Sequence, residues 1–219
     1  MAIHTVKSGE HLPAIAERFG FSTHTPIWDH PDNAELRAAR GTAEILAPGD
    51  RLTLPERVVK SLDAATGQRH VFVVQREPLE LRVTLRDLAG NPRGGQEVEV
   101  TTGEGAKTVS TDREGTLVVP IRRSEQSATV ALGETLFDVA IGALDPIDTE
   151  SGIHARLVNL GYLEAPLPAP TGEVDPEEEA ARQRELAAAI EELQCDQGLP
   201  QTGALDGATQ AKLLELHGC

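Results

Sequence analysis

The stretch HTPIWDHPD brings His24, Asp29, His30 and Asp32 close together. Imidazole nitrogens and carboxylate oxygens at this density could hold a divalent metal ion. No second cluster supports such a site. The plainer reading is a polar insert whose acids cap turns and whose histidines sit at the surface, so no metal or other cofactor is expected. Cys195 is the other reactive group, with His217 or His154 as a conceivable base. It lies beside Leu193 on a predicted helix, which favours a packed thiol or a disulfide over a nucleophile. Cys195, His217 and Cys219 make another ligand set, but a Cys195–Cys219 disulfide, or two thiols packed between helices, fits better. No HExxH motif, GxSxG elbow or phosphate-binding loop occurs. No enzymatic activity is expected.

Trp28 is the single tryptophan. It could stack on a sugar or anchor a partner, but a plug in a small core is the better reading. Tyr162, just after Gly161, is likewise read as a helix-end core residue. The formal charge of −15, from 35 acidic and 20 basic residues, repels phosphate backbones and anionic lipids, so neither nucleic acid nor a membrane is an expected partner. Aromatic residues make up 3% of the chain, which weighs against strong glycan stacking. No apolar run approaches the length of a membrane span. The first residues lack a basic region followed by an apolar stretch, so no signal peptide is expected and the cytoplasm is the default location.

Three segments must position these residues, giving a multidomain α+β chain. Residues 1–57 open with a strand in HTVKSGE and a Ser8-Gly9 turn. A helix then sets Leu12, Ile15, Ala16 and Phe19 on one face at helical period. Pro13 fits the first turn, whose amides have no helical partner, and Gly20 fits the left-handed C-cap. ILAPGDRLTLP supplies a Pro48-Gly49 turn and a strand with Leu52 and Leu54 on one face. Pro26 and Pro31 interrupt the middle.

The segment resembles a LysM domain, a small βααβ fold, through HTVKSGEHLPAIAERFG and LAPGDRLTLP. The resemblance implies a glycan groove for N-acetylglucosamine-containing peptidoglycan between the first turn and the loop before the last strand. Carried over, that groove comprises Gly9, Glu10, His11 and Leu12 with Ile45, Leu46, Ala47 and Pro48.

Residues 68–144 alternate cleanly. Leu79, Leu81, Val83 and Leu85 are expected inward, with Glu80, Arg82, Thr84 and Arg86 outward. QEVEVTT, TLVVPI, SATVAL and TLFDVAIG continue as short strands between the turns GNPRGG and TDREG, which predicts an antiparallel β-sandwich. LRDLAGNPRGGQEVEV and STDREGTLVV resemble transthyretin-like and carboxypeptidase-regulatory-like sandwiches, which implies a spacer or docking platform.

Residues 148–219 predict a helix over GIHARLVNLGYL ending at Gly161, and a Pro-rich acidic insert EAPLPAPTGEVDPEEE. The next helix starts with Asp175 at the N-cap, Pro176 at N1 and Glu178 at N3. Leu186, Ile190 and Leu193 line one of its faces. The acids 177–179 suit a helix N-terminus. A last helix is capped at Asp206 or Gly207. LVNLGYL and AAAIEELQCDQGLPQTGALDGATQAKLLEL resemble the three-helix peptidoglycan-binding domain of wall hydrolases.

Together these resemblances imply a non-catalytic, peptidoglycan-binding-type adaptor, with two weak modules linked for avidity. Its expected setting is a type VI or other contractile secretion apparatus, with a spike or effector protein as partner and export through that machine. The alternatives are a purely protein-docking spike or baseplate component and a targeting subunit of a wall hydrolase.

Overall fold

A computed structural model of the chain describes residues 2–58, 61–72, 78–87, 90–164 and 175–218. Among them are six α-helices, one 3-10 turn and eight strands, paired antiparallel throughout. None of the described helices is long and apolar enough to cross a membrane. The chain forms two compact units, Met1–Ala143 and Leu144–Cys219.

The first unit begins with β1 (Ala2–Thr5), which pairs with β2 (Arg51–Leu54) so that Ala2 faces Leu54 and Thr5 faces Arg51. Between them run α1 (Leu12–Arg18), α2 (Thr25–Trp28), a 3-10 turn (Pro31–Asn33) and α3 (Ala34–Arg40). The second of the two expected helices is thus divided into three pieces. Pro26 and Pro31 each sit in the first turn of a piece, where the missing N–H costs nothing. Leu12, Ile15, Ala16, Ile27, Leu46, Leu52 and Leu54 form one core, with Trp28 packed against it. Phe19 departs from expectation. It is the C-cap residue of α1 and is 37% exposed, because the helix turns into the left-handed Gly20, φ +79°, before its side chain can reach the core.

A second core lies between two antiparallel sheets in the same unit. One pairs β3 (Leu79–Thr84) with β6 (Thr116–Ile121); the other runs β5-β4-β7-β8, comprising β4 (Glu97–Thr102), β5 (Gly105–Ser110), β7 (Ser127–Leu132) and β8 (Thr135–Ala140). Leu85, Leu117 and Val119 meet Val98, Val100, Ala128 and Val130 there, while Glu80, Arg82 and Thr84 face outward as the alternation requires. β5 has no counterpart in the sequence reading. It is exposed except at the half-buried Val109, so it lacks the alternation that marks a half-buried strand.

The second unit packs α4 (Glu150–Leu160), α5 (Pro176–Asp196) and α6 (Gly207–His217) around Leu157, Leu186, Ile190, Leu193 and Leu213. Its caps follow the sequence. Asp175 accepts from the Glu177 amide at 2.9 Å, and Asp206 accepts from the amide and hydroxyl of Thr209, both at 2.8 Å. Gly161 closes α4 in the left-handed conformation. Thr149 caps the start of α4, accepting from the Gly152 amide at 3.0 Å. Gly152 is there for lack of space, since a Cβ would stand 2.0 Å from the Pro146 carbonyl oxygen. Arg156, wholly buried, donates to the carbonyls of Asp145 at 3.0 Å and Gly152 at 2.8 Å, tying the entry segment to the helix.

Candidate functional site

The turn after β1 is built around one carboxylate. The left-handed Gly9, φ +78°, reverses the chain and lets the Glu10 amide donate to the Lys7 carbonyl at 3.1 Å. Glu10 then accepts from the Lys7 amide at 3.0 Å, from His4 Nε2 at 2.7 Å and from Arg18 Nη1 at 2.6 Å. Burial alone would raise the Glu10 carboxyl, but these three donors outweigh it and hold it below the ordinary carboxylate range. Arg18 also lies over the Phe19 ring, 5.2 Å from its centre. Strand, turn and helix are thereby fixed to one another, which makes the turn a rigid edge.

His11 follows at the N-cap of α1, yet its side chain accepts no capping bond. Its ring is buried instead, bonded to the backbone of Arg123 and set against Gly142, where a Cβ would come within 2.8 Å of His11 Cδ2. The first turn therefore packs on the two-sheet body. Beside this contact opens a cleft of about 340 Å³. One wall is Gly9, Glu10 and His11 with Ala14, Glu17 and Arg18 of α1; the other is the β6–β7 turn, Arg123, Ser124, Glu125 and Gln126. The turn is itself anchored, as Arg123 donates to the Ser22 carbonyl at 2.9 Å and Glu125 accepts from the Gly103 amide at 2.8 Å.

The expected groove is divided by this arrangement. Gly9, Glu10 and His11 line the cleft, whereas Ile45, Leu46, Ala47 and Pro48 do not. Leu12 and Leu46 belong to the core, Ile45 and Ala47 are half-buried, and Pro48 is exposed. The loop holding these last residues is latched by Asp50, which accepts from the Ala47 amide at 2.8 Å and from Arg40 at 2.8 and 2.9 Å. Sequence reasoning missed Ala14, Glu17 and Arg18 on the first wall and the whole of the second, residues 123–126, which lies far along the chain and has no local signal for a site.

Elsewhere, the His24, Asp29, His30 and Asp32 stretch does local work: His30 Nδ1 accepts from the Asp32 amide at 3.3 Å. Among the described residues no group of three or more His, Cys, Asp or Glu is placed to hold a metal ion. Cys195 is an exposed free thiol, not the packed residue expected beside Leu193. Cys219 lies outside the described residues, and so does the proposed pairing. His217 shares a 2.9 Å bond with Asn159. Tyr162 packs against the helical core and donates to Asp196 at 3.2 Å; its burial and the neighbouring carboxylate raise the phenol.

No family model matches this chain, and neither a curated protein nor a solved structure matches it. The functional reading therefore rests on the site's own chemistry.

Two buried histidines, His11 beside the cleft and His154 in α4, make stability depend on pH. Burial lowers His11, against a smaller upward pull from its bond to Arg123. Burial also lowers His154, with Glu185 and Glu150 pulling up and Arg182 down. A histidine lowered in the folded state contributes stability that is complete above its unfolded value, about 6.5, and lost as pH falls through the folded value. The midpoint of the N-terminal unit, followed by Trp28 fluorescence, is expected to hold from pH 8 to about 6.5 and to decline below it. His11→Gln should flatten that decline. A midpoint rising on acidification would contradict the assignment.

Proposed function

We propose that this protein is a non-catalytic adaptor of the peptidoglycan-binding type, working as an accessory of a type VI or related contractile secretion apparatus and exported through it. In this reading β1, β2 and the helices between them are a LysM-like module, and α4, α5 and α6 are a peptidoglycan-binding-like module. The antiparallel β1–β2 pair enclosing helices, and the three helices around one core, support those likenesses.

One observation carries the reading: the make-up of the first-turn cleft. Ser124 and the planar amide of Gln126 line the cleft together with the small apolar Ala14. Sugar hydroxyls pair with such bidentate groups, and an acetamido methyl needs a small apolar seat. Each direct bond to a neutral hydroxyl contributes about 1 kcal/mol net, so affinity per module is low and linkage of two modules matters.

The test is co-sedimentation of the full chain with purified sacculi, with and without soluble chitin oligomers as competitors. Binding that the oligomers displace is expected, and Ser124→Ala with Gln126→Ala, which removes two such bonds, should weaken it about thirtyfold. Failure to sediment at low and moderate salt would remove glycan from the reading. Release of muropeptides by the pure protein would overturn its non-catalytic character.

A second reading, a purely protein-docking component, is favoured by a specific fact. Half of the groove implied by the LysM likeness, residues 45–48, stands outside the cleft, and Leu12 and Leu46 are committed to the core.

A further inference from the structure

β8 is the last strand of the four-stranded sheet, and among the described residues no strand pairs with its far side. An open edge offers a row of N–H and C=O groups to any extended chain, and proteins ordinarily guard it with lysine, proline or a bulge. The opposite edge obeys this rule. β5 begins at a glycine and carries Lys107, bridged to Glu104 at 3.5 Å. β8, with the sequence TLFDVA, has neither lysine nor proline, and its register with β7 runs without a bulge from Thr135 to Ala140.

The direction of its free backbone groups follows from one bond. The Ile141 amide donates to the Gln126 carbonyl at 2.9 Å, continuing the register that sets Val139 opposite Ala128 and Phe137 opposite Val130. Antiparallel alternation then turns the groups of Thr135, Phe137 and Val139 toward β7. Those of Leu136, Asp138 and Ala140 point outward.

The side chains along this edge are apolar and acidic. Leu136 is 68% exposed on the outer face, and Phe137 is 42% exposed on the core-side face that it shares with Val130. Residues 127–140 contain two charges, Glu134 and Asp138, and no cation.

We infer that β8 is a strand-addition site for an extended segment of a partner protein, apolar on its core-side face and carrying lysine or arginine on its outer face. The partner's apolar side chains cover the open side of Phe137, and its cations meet Asp138 and Glu134. A second copy of this chain fits poorly. Self-pairing centred on Phe137 sets Asp138 against a leucine, self-pairing centred on Asp138 sets two carboxylates together, and a net charge of −15 on each copy opposes approach. This surface is independent of the glycan cleft.

The probe is a fluorescently labelled peptide of about eight residues alternating valine and lysine, followed by anisotropy as the full chain is titrated in. Saturable binding is expected, weakened about tenfold in Asp138→Lys and about tenfold when alternate peptide amides are N-methylated so that one peptide edge cannot pair. Asp138 is exposed, so circular dichroism of the variant should match the parent. A valine–glutamate peptide is expected not to bind, and chitin oligomers should leave the lysine peptide bound, which separates this site from the cleft. No saturable binding, equal affinity of the N-methylated peptide, or an unaffected Asp138→Lys variant would each overturn the inference.

Discussion

Gln194→Leu is expected to destabilise the C-terminal helical unit by about 3 kcal/mol, although leucine fills nearly the same volume. Gln194 is fully buried and holds the loop between α5 and α6 from both ends of its amide. Its oxygen accepts from the amides of Thr202 at 2.7 Å and Gly203 at 3.1 Å. Its nitrogen reaches the Ala204 carbonyl and the Thr209 hydroxyl, each at 3.0 Å. Leucine makes none of these bonds. A stranded buried polar group costs about 1–3 kcal/mol, and the exposure of Thr202 and Ala204 lets water recover part of the loss. Gln194→Glu separates the two halves of the effect. It keeps both acceptor bonds but removes the donors and buries a charge, so it should also be destabilising, and less so as the pH falls and the carboxyl protonates. Because the chain has two units, a single unfolding midpoint would mix them. Amide hydrogen exchange over α5, α6 and their loop is the direct readout. Unchanged protection of residues 199–209 in Gln194→Leu would defeat the prediction.

Gln194 also marks where sequence reasoning stopped short. The helical period puts Leu186, Ile190 and Leu193 on one face, and position 194 joins that face four residues after Ile190. A glutamine on an apolar stripe is a signal for a buried hydrogen-bond hub. The same period swings Cys195 off the stripe, which is why it is exposed. The caps at Asp175 and Gly161, and the choice between Asp206 and Gly207, were legible because capping is local: each cap and its backbone partner lie within four residues. The alternating strands were legible for a similar reason. β5 was not, since a strand exposed on both faces has no pattern to read. Of the cleft, only Gly9, Glu10 and His11 could be read from the first turn. The opposite wall could not, because Arg123 and Gly142 meet His11 only through tertiary packing.

Asn33 lies beyond any local signal, and its replacement carries the second large effect. It is 1% exposed at the end of the 3-10 turn. Its oxygen accepts from the Thr53 amide at 2.8 Å, and its nitrogen donates to the Thr53 carbonyl at 2.9 Å and to the Ile27 carbonyl at 2.8 Å. Bonding both backbone groups of one β2 residue, the side chain stands in for a neighbouring strand and ties the broken helical middle to the sheet. Asn33→Leu keeps the volume and loses all three bonds, an expected cost of about 3–4 kcal/mol to the N-terminal module. Trp28 packs against that same core, so its fluorescence reports the module's unfolding directly, and a denaturation midpoint equal to the parent's would refute the role. Asn33→Asp is the sharper variant. At neutral pH it turns a carboxylate toward two carbonyl oxygens; once protonated, it regains a single donor. Acidification should therefore partly rescue Asn33→Asp while the parent, with His11 lowered by burial, loses stability below about pH 6.5. A stability gap between the two proteins that narrows as the pH falls would place the effect on the Asn33 hydrogen bonds, because a general loosening of the core would leave that gap constant.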